Sequence, residues 1–513
     1  MNKEACLILD FGSQYTQLIA RRVREKKVFS VIYPYNVSFE KVLALNPRAI
    51  VLSGSPANVY QKHAPIPDKR IFALGVPILG ICYGLQLISH LMQGKVKKVR
   101  LREYGHADLA VDRDGDLFSG LPKRFPCWMS HGDQVTKLPL GFERIAHTSS
   151  SHIAGFRNLS RRMYGVQFHP EVVQTPLGHK IFDNFLFKIC KYRGNWTPKS
   201  FVKETIQSLR NKIGKEKVIL GLSGGVDSSV VALLLHRAIG RQLTCIFVDN
   251  GLLRLREREK VEALFRGHLK MNLRVIDRSR DFLKALRGVA DPERKRKIIG
   301  RVFIEVFERE TKKLGKVPFL AQGTLYPDRI ESVSVYGGPT STIKSHHNVG
   351  GLPKRMKLRL IEPLQDLFKD EVREVGRTLG LSEEMISRQP FPGPGLAVRI
   401  IGDITEKRLS LLRDADWIVI DEIKKAGLYK KLWQSFAVLL PIKSVGVMGD
   451  ERTYENVVAV RAVNSLDGMT ADWARLPDQV LAKISNRIIN EVRGVNRVCY
   501  DISSKPPATI EWE

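Results

Sequence analysis

Two stretches hold residues whose types and spacing suit acyl transfer. Cys82 lies in Gly80-Ile81-Cys82-Tyr83-Gly84-Leu85-Gln86, directly after the apolar run Pro77-Ile78-Leu79. Glycines two before and two after it permit the tight strand-to-helix turn that exposes a nucleophile, here Cys in place of Ser. The N-terminus of the following helix favours the thiolate. A lone cysteine is more often an inert core residue, and the flanking glycines argue against that here. Gly165-Val166-Gln167-Phe168-His169-Pro170-Glu171 then supplies an imidazole and a carboxylate two positions apart, just past another strand-like run. His169 alone would suit a ligand, a base or a satisfied surface residue. With Cys82 and Glu171 it completes a set of nucleophile, base and orienting carboxylate.

A third stretch suits phosphate. Ser223, Gly224, Gly225, Val226, Asp227, Ser228 and Ser229 follow the apolar run Val218–Leu222 and precede Val230-Val231-Ala232-Leu233-Leu234-Leu235. A glycine-rich turn between a strand and a helix start offers unpaired backbone N–H groups and the positive end of a dipole. The serine hydroxyls add donors, and the Asp227 carboxylate would hold Mg²⁺ against the phosphates. No Gly-Lys-Ser/Thr closes the loop, so it is not the Walker type. The bland alternative is a turn that only caps a helix.

The elements that must position these groups alternate between strand and helix. Strand signals at 5–9, 49–52 and 77–81, with a helix carrying Gln17, Arg21, Arg22 and Arg24, predict a parallel α/β sheet with its site at the carboxyl ends of the strands. Asn195-Trp196-Thr197-Pro198 reads as a linker. A second open sheet follows from the runs at 218–222, 243–251 and 273–277 and from 319–328, a strand followed by a polar turn. The Val248-Asp249-Asn250-Gly251 end of the second run is where an adenosine edge would lie. The polar, glycine-rich segment 343–353 reads as a loop able to close over phosphates, with Lys344 as a cation for them. Its adjacent His346 and His347 lack nearby Cys or acidic ligands, which argues against zinc. Pro390 to Gly395 holds three prolines and two glycines in six residues and reads as a rigid connector. Helices near 407–423 and 478–491 and strands near 437–440, 457–463 and 497–500 predict a small α+β domain beyond it.

The fold expected is therefore α/β, with two doubly wound parallel-sheet domains and a small C-terminal α+β domain, divided as 1–195, 196–388 and 389–513. A chain of 513 residues is too long for one core and suits about three domains. Six scattered cysteines argue against zinc and against a disulfide framework, and suit a reducing cytoplasm. The Met1-Asn2-Lys3-Glu4 start shows no signal peptide, and no long apolar run predicts a membrane span. The net charge of +30 would suit nucleic acid. The basic residues are spread along the whole chain, however, so the charge favours anionic small substrates and no nucleic-acid partner.

The cysteine and histidine stretches together resemble the class I glutamine amidotransferases over nearly the whole first domain. That resemblance implies that Cys82 attacks the glutamine carboxamide, His169 carries the proton to ammonia, and Glu171 orients His169. Ser53-Gly54-Ser55-Pro56 matches the family's oxyanion loop, with the N–H of Gly54 and of Tyr83 holding the oxyanion. Gln86 and His131, the latter in Ser130-His131-Gly132-Asp133, resemble glutamine-pocket positions. A peptidase-like or deglycase-like relative on the same fold is the alternative, and it predicts a free-standing domain.

The loop at Ser223 resembles that of the N-type ATP pyrophosphatases, which cut ATP between its α and β phosphates. The order of motifs, including 248–253, 322–328, 344–353 and 390–397, resembles the glutamine-hydrolysing GMP synthases over essentially the full chain. That family implies ATP and Mg²⁺, glutamine and XMP as substrates, and a homodimer formed through the last domain. It also implies contacts to the purine nucleotide from Lys505 and Glu511, joined by Asp450 and Arg452; Arg301, in the basic run 294–303 with apolar neighbours on its helix, would point at an anionic substrate unless that run is only a solvated face. Ala321 stands where that family leads us to expect glycine, and Gln389 where it leads us to expect histidine. Amidating or thiolating enzymes with the same loop remain rivals, whether NAD synthetase-like, argininosuccinate-forming or tRNA-modifying. An RNA-binding scaffold exploiting the charge is the rival of another class, and intact Cys82, His169, Glu171 and Asp227 count against it.

Overall fold

The computed structural model describes residues 4–331, 358–465, 468 and 470–513. They form two compact units that meet within the helix Pro198–Ile213, one up to Phe201 and one from Val202 on.

The first unit is built on a nine-stranded sheet. Five strands run parallel in the order Phe29–Pro34, Ala5–Asp10, Ala49–Leu52, Ile78–Ile81, Met163–Val166. The last three are buried at every position, because helices cover both faces of a parallel sheet. Gly155–Asn158, Glu143–His147, Lys95–Val111 and Arg124–Lys137 then continue the sheet antiparallel. This second half has no counterpart in the strand signals of the sequence. Arg124–Lys137 alternates buried and open positions over much of its length, so it is half-solvated and carries no continuous apolar run.

In the second unit a five-stranded parallel sheet runs in the order Leu273–Asp277, Leu243–Asp249, Val218–Gly221, Phe319–Ala321, Arg359–Ile361. The helix expected from Val230 begins at Val226, so Asp227 already lies in its first turn. A smaller sheet pairs the long strands Gln434–Met448 and Glu451–Asn464 antiparallel, with Val495–Tyr500 parallel to the second of them. One hydrophobic core runs from Ile219, Ile246 and Val248 through Leu396 and Leu409 to Val458 and Ile484. Gly395 joins these parts at φ +66, where an added Cβ would meet the Leu252 carbonyl oxygen at 2.4 Å. Gln389 is a structural bridge: its Oε1 accepts from Ser435 N (2.8 Å) and Oγ (2.9 Å), while its Nε2 donates to the Tyr429 carbonyl (3.1 Å). Ala321 is buried in its strand.

The last residues fold back over the small sheet, held by three fully buried cations. Arg461 donates to the carbonyls of Ser503, Thr509 and Ile510 and pairs with Asp501 at 3.1 Å. Arg399 lies over the Phe436 ring and donates two hydrogen bonds to Glu511, at 3.0 and 2.9 Å. Lys295 donates to the Ala397 and Ile400 carbonyls and to Glu513.

Candidate active sites

Cys82 caps the helix Tyr83–Leu91 at φ +53 and ψ −103, a backbone conformation costly for a residue with a side chain. The neighbouring glycines are required by close approach. A Cβ at Gly80 would lie 2.4 Å from the Gly84 carbonyl carbon, and one at Gly84 would lie 2.4 Å from the Leu52 carbonyl oxygen. The turn thus presses its backbone into the sheet and projects the thiol at the carboxyl ends of the parallel strands.

His169 Nδ1 and Glu171 Oε1 are 2.8 Å apart, and both side chains are buried. The His169 backbone is fixed by its N–H to the Trp128 carbonyl (2.9 Å) and by Thr175 Oγ1 on its own carbonyl (2.7 Å). Tyr15 meets the imidazole edge-on at 5.1 Å between centroids. Burial opposes the imidazolium, but the Glu171 carboxylate and the Cys82 sulfur outweigh it and raise the His169 pKa well above the ordinary histidine value. Gly54 lies against this ring, since a Cβ there would sit 3.3 Å from His169 Cε1.

His131 Nε2 meets Glu103 Oε2 at 2.9 Å, and Thr148 and Ser150 both donate to Glu103 Oε1 at 2.6 Å. Burial works against ionisation of Glu103, yet these hydrogen bonds prevail and hold its carboxyl below the usual range. Gln86 Nε2 donates to the Asp133 carbonyl (2.8 Å) and to Gln167 Oε1 (3.2 Å), so both its N–H groups are spent on protein. Gln167 in turn reaches Cys82. Nothing in the reading of the sequence singled out Gln167 or Glu103. Gln167 had a usable signal: it stands two positions before His169, on the same side of an extended run.

In the second unit the Ser223–Ser229 segment forms a closed loop. Ser228 Oγ lies 3.0 Å from Ser223 Oγ and donates to the Gly225 carbonyl (3.1 Å), as does Ser229 Oγ (2.7 Å). Gly224 takes φ +75. Arg388 donates to the Gly224 carbonyl at 2.7 Å and also pairs with Glu257. Asp227 Oδ2 takes a hydrogen bond from Lys369 Nζ, while Asp227 Oδ1 is buried with no partner among the described residues. Gly323 abuts this aspartate, with a Cβ there 3.3 Å from Asp227 Cβ. Lys369 and Arg388 escaped notice because the first opens a charged helix like many others and the second lies in irregular chain just past the short helix Glu383–Ile386. Val248 is buried near the end of its strand. Lys344 lies outside the described residues.

The five nucleotide candidates occupy different elements, with Arg452 exposed on the long hairpin opposite Val447. Arg301 is exposed on the helix Pro292–Lys312, its guanidinium 3.7 Å from Glu305. Asp450 sits at the exposed tip of the long hairpin. Lys505 pairs its backbone with Ala471 and donates Nζ to the Gly468 carbonyl at 2.8 Å. Glu511 lines a cavity of about 510 Å³ with Tyr500, Asp501, Ser503, Thr509 and Trp512. Its carboxylate is oriented there by Arg399 and by Gln434 Nε2.

Three segments match known families: residues 7–189 match the class-I glutamine amidotransferases, 199–277 NAD synthase, and 421–512 the GMP synthase C terminal domain. Over its full length the chain is 59% identical to the glutamine-hydrolysing GMP synthase of Brachyspira hyodysenteriae, covering 100% of this chain and 99% of that protein. The chain belongs to the glutamine-hydrolysing GMP synthase family. The family's proteins from Caldicellulosiruptor saccharolyticus and Aquifex aeolicus are each 57% identical, with complete coverage of both partners. Membership explains why one chain carries a thiol site and a phosphate loop. No helix among the described residues is long and apolar enough to cross a membrane.

Proposed function

We propose that this chain makes GMP from XMP, taking nitrogen from glutamine and activation from ATP. The observation that carries the reading is Cys82 at its left-handed turn, with the buried His169–Glu171 pair, in a chain that also builds the loop Ser223–Ser229.

At the first site the Cys82 thiolate attacks the carboxamide carbon of glutamine, and the oxyanion meets the N–H groups of Gly54 and Tyr83. His169 gives its proton to the departing ammonia, Glu171 holds the imidazole in place, and water then releases glutamate from the thioester. Gln86 and His131 shape the glutamine pocket. At the second site O2 of XMP attacks the α-phosphorus of ATP and pyrophosphate departs into the loop of Ser223, Gly224, Gly225, Val226, Ser228 and Ser229. Ammonia displaces AMP at C2 and yields GMP. Val248 borders the adenine, Lys344 adds positive charge at the phosphates, and Arg301, Asp450, Lys505 and Glu511 contact XMP. Asp227 would hold Mg²⁺, a role that fits its buried Oδ1, which has no partner among the described residues. A cation there neutralises part of the triphosphate charge.

The match of residues 199–277 to NAD synthase favours one rival, an amidating enzyme acting on a dinucleotide. That segment contains the phosphate loop, while the match over 421–512 belongs to GMP synthase. The deciding assay gives the purified chain glutamine, ATP and magnesium with XMP, nicotinate adenine dinucleotide or citrulline. AMP and pyrophosphate are expected in step with GMP, and with XMP only. Turnover of the dinucleotide, or none of XMP, rejects the reading.

The chain divides functionally at 195/196 and 388/389, and it works as a cytoplasmic homodimer. All six cysteines are free, as a reducing compartment requires. Dimerisation is supported by the long hairpin, where Val445 and Tyr454 face each other in register and, with Val447, remain mostly exposed. Val445→Asp with Val447→Asp is expected to halve the mass measured by light scattering. A variant that keeps the wild-type mass, or a monomeric wild type, moves the contact elsewhere.

A further inference from the structure

The least expected neighbour of Cys82 is an amide. Gln167 is fully buried on the segment that carries His169 and Glu171, and its Nε2 lies 3.6 Å from Cys82 Sγ. The orientation of that amide follows from a chain of donors and acceptors that starts at the backbone. The Asp133 carbonyl can only accept, so the nitrogen of the Gln86 amide must face it, at 2.8 Å. The second N–H of Gln86 then points at Gln167, 3.2 Å away, where only an oxygen is acceptable. With Oε1 committed to Gln86, the Gln167 nitrogen is turned onto the sulfur. A flipped Gln167 would set donor against donor at Gln86 and a carbonyl dipole against the thiolate.

The sulfur meets an opposing group as well. Cys82 Sγ lies 3.7 Å from the Ser130 carbonyl, which accepts from the thiol and repels the thiolate. A second N–H donor, beside the His169 imidazole, offsets that repulsion where the sulfur carries charge. We infer that Gln167 is a further catalytic residue of the glutamine half-reaction: its N–H donates to the Cys82 thiolate, offsets the Ser130 carbonyl and fixes the sulfur for attack, with Gln86 and the Asp133 carbonyl as its positioning relay. This rests on Cys82 being the nucleophile. It gives Gln86 a task distinct from touching glutamine, since its N–H groups are both engaged.

The test reads the thiolate directly. The rate of iodoacetamide modification of the Cys82 peptide, followed by mass spectrometry across pH, gives the apparent pKa of the thiol in the full chain. Gln167→Met keeps the bulk and removes the donor. It is expected to move that pKa upward by about one to two units, the worth of a hydrogen bond to a charged group. Glutaminase kcat should fall about tenfold or more, with a much smaller change in the KM for glutamine. Gln167→Glu turns a carboxylate onto the sulfur and should raise the pKa further. If Gln167→Met melts well below the wild type, Gln86→Met frees the amide without altering residue 167 and carries the same test with a smaller shift. A folded Gln167→Met whose modification profile overlays that of the wild type overturns the inference. A wild-type Cys82 that stays unmodified at every pH would instead reject the nucleophile itself.

Discussion

Cys82→Ala abolishes GMP formation from glutamine, by about 10⁴-fold or more, and leaves formation from added ammonium salts close to wild type. The expected split follows from what the substitution removes. Alanine has no atom to form the thioester, so His169 and the oxyanion donors have nothing to assist. The methyl still fits a pocket sized for the thiol, and the strained φ of +53 is kept by the sheet and the close-packed glycines around it. The phosphate loop belongs to the other compact unit, so its chemistry with free ammonia needs nothing from residue 82. Parallel assays with glutamine and with ammonium chloride at alkaline pH measure this. Simultaneous loss of both activities in a folded variant would mean that the two half-reactions share one centre, against the assignment made above.

Asp227→Ala gives the opposite pattern, with pyrophosphate release lost whichever nitrogen source is present. The carboxylate stands in the first turn of the helix that begins the phosphate loop, paired on one oxygen with Lys369 and buried on the other. Removing it takes away the one acidic group of the loop and leaves Lys369 free to bind the phosphates in an unproductive way. Losses of about 10²- to 10³-fold are usual when one electrostatic element of a charge-stabilising site is deleted. Glutaminase activity, measured as glutamate, should persist. Pyrophosphate release at wild-type rate would clear Asp227 of any part in holding metal or phosphate. Taken with the cysteine variant, the two substitutions form a double dissociation that no single-site mechanism reproduces.

Much of both centres was legible in the residues because their backbone demands are severe. Gly80 and Gly84 leave no room for a side chain, and that requirement is written in a glycine pattern anyone can count. The loop Ser223–Ser229 is similar, since φ +75 at Gly224 and the helix start at Val226 follow from glycine and serine chemistry. What escaped notice depends on partners far apart in the chain. Gln167 matters through Gln86 and Cys82, more than 80 positions away, and Glu103 through His131, Thr148 and Ser150. The antiparallel half of the first sheet was missed for a related reason: solvated strands pair by register, with no apolar run to announce them. Gln389 shows the reverse case. A departure from an expected histidine proves to be a well-satisfied bridge between the connector and the small sheet.

The buried cations beneath the C-terminal segment make its attachment an all-or-none affair. Arg461, Arg399 and Lys295 come from three separate elements, yet each finds its countercharge in the same thirteen residues, 501–513. Peeling that strap away would strip Arg461 and Lys295 of their carboxylates and leave Arg399 with Asp416 alone, at 3.6 Å, so partial release is disfavoured and detachment behaves as a latch with a threshold. A nucleotide carrying its own negative charge is the kind of visitor that could lower such a threshold, by standing in for the carboxylates as they leave.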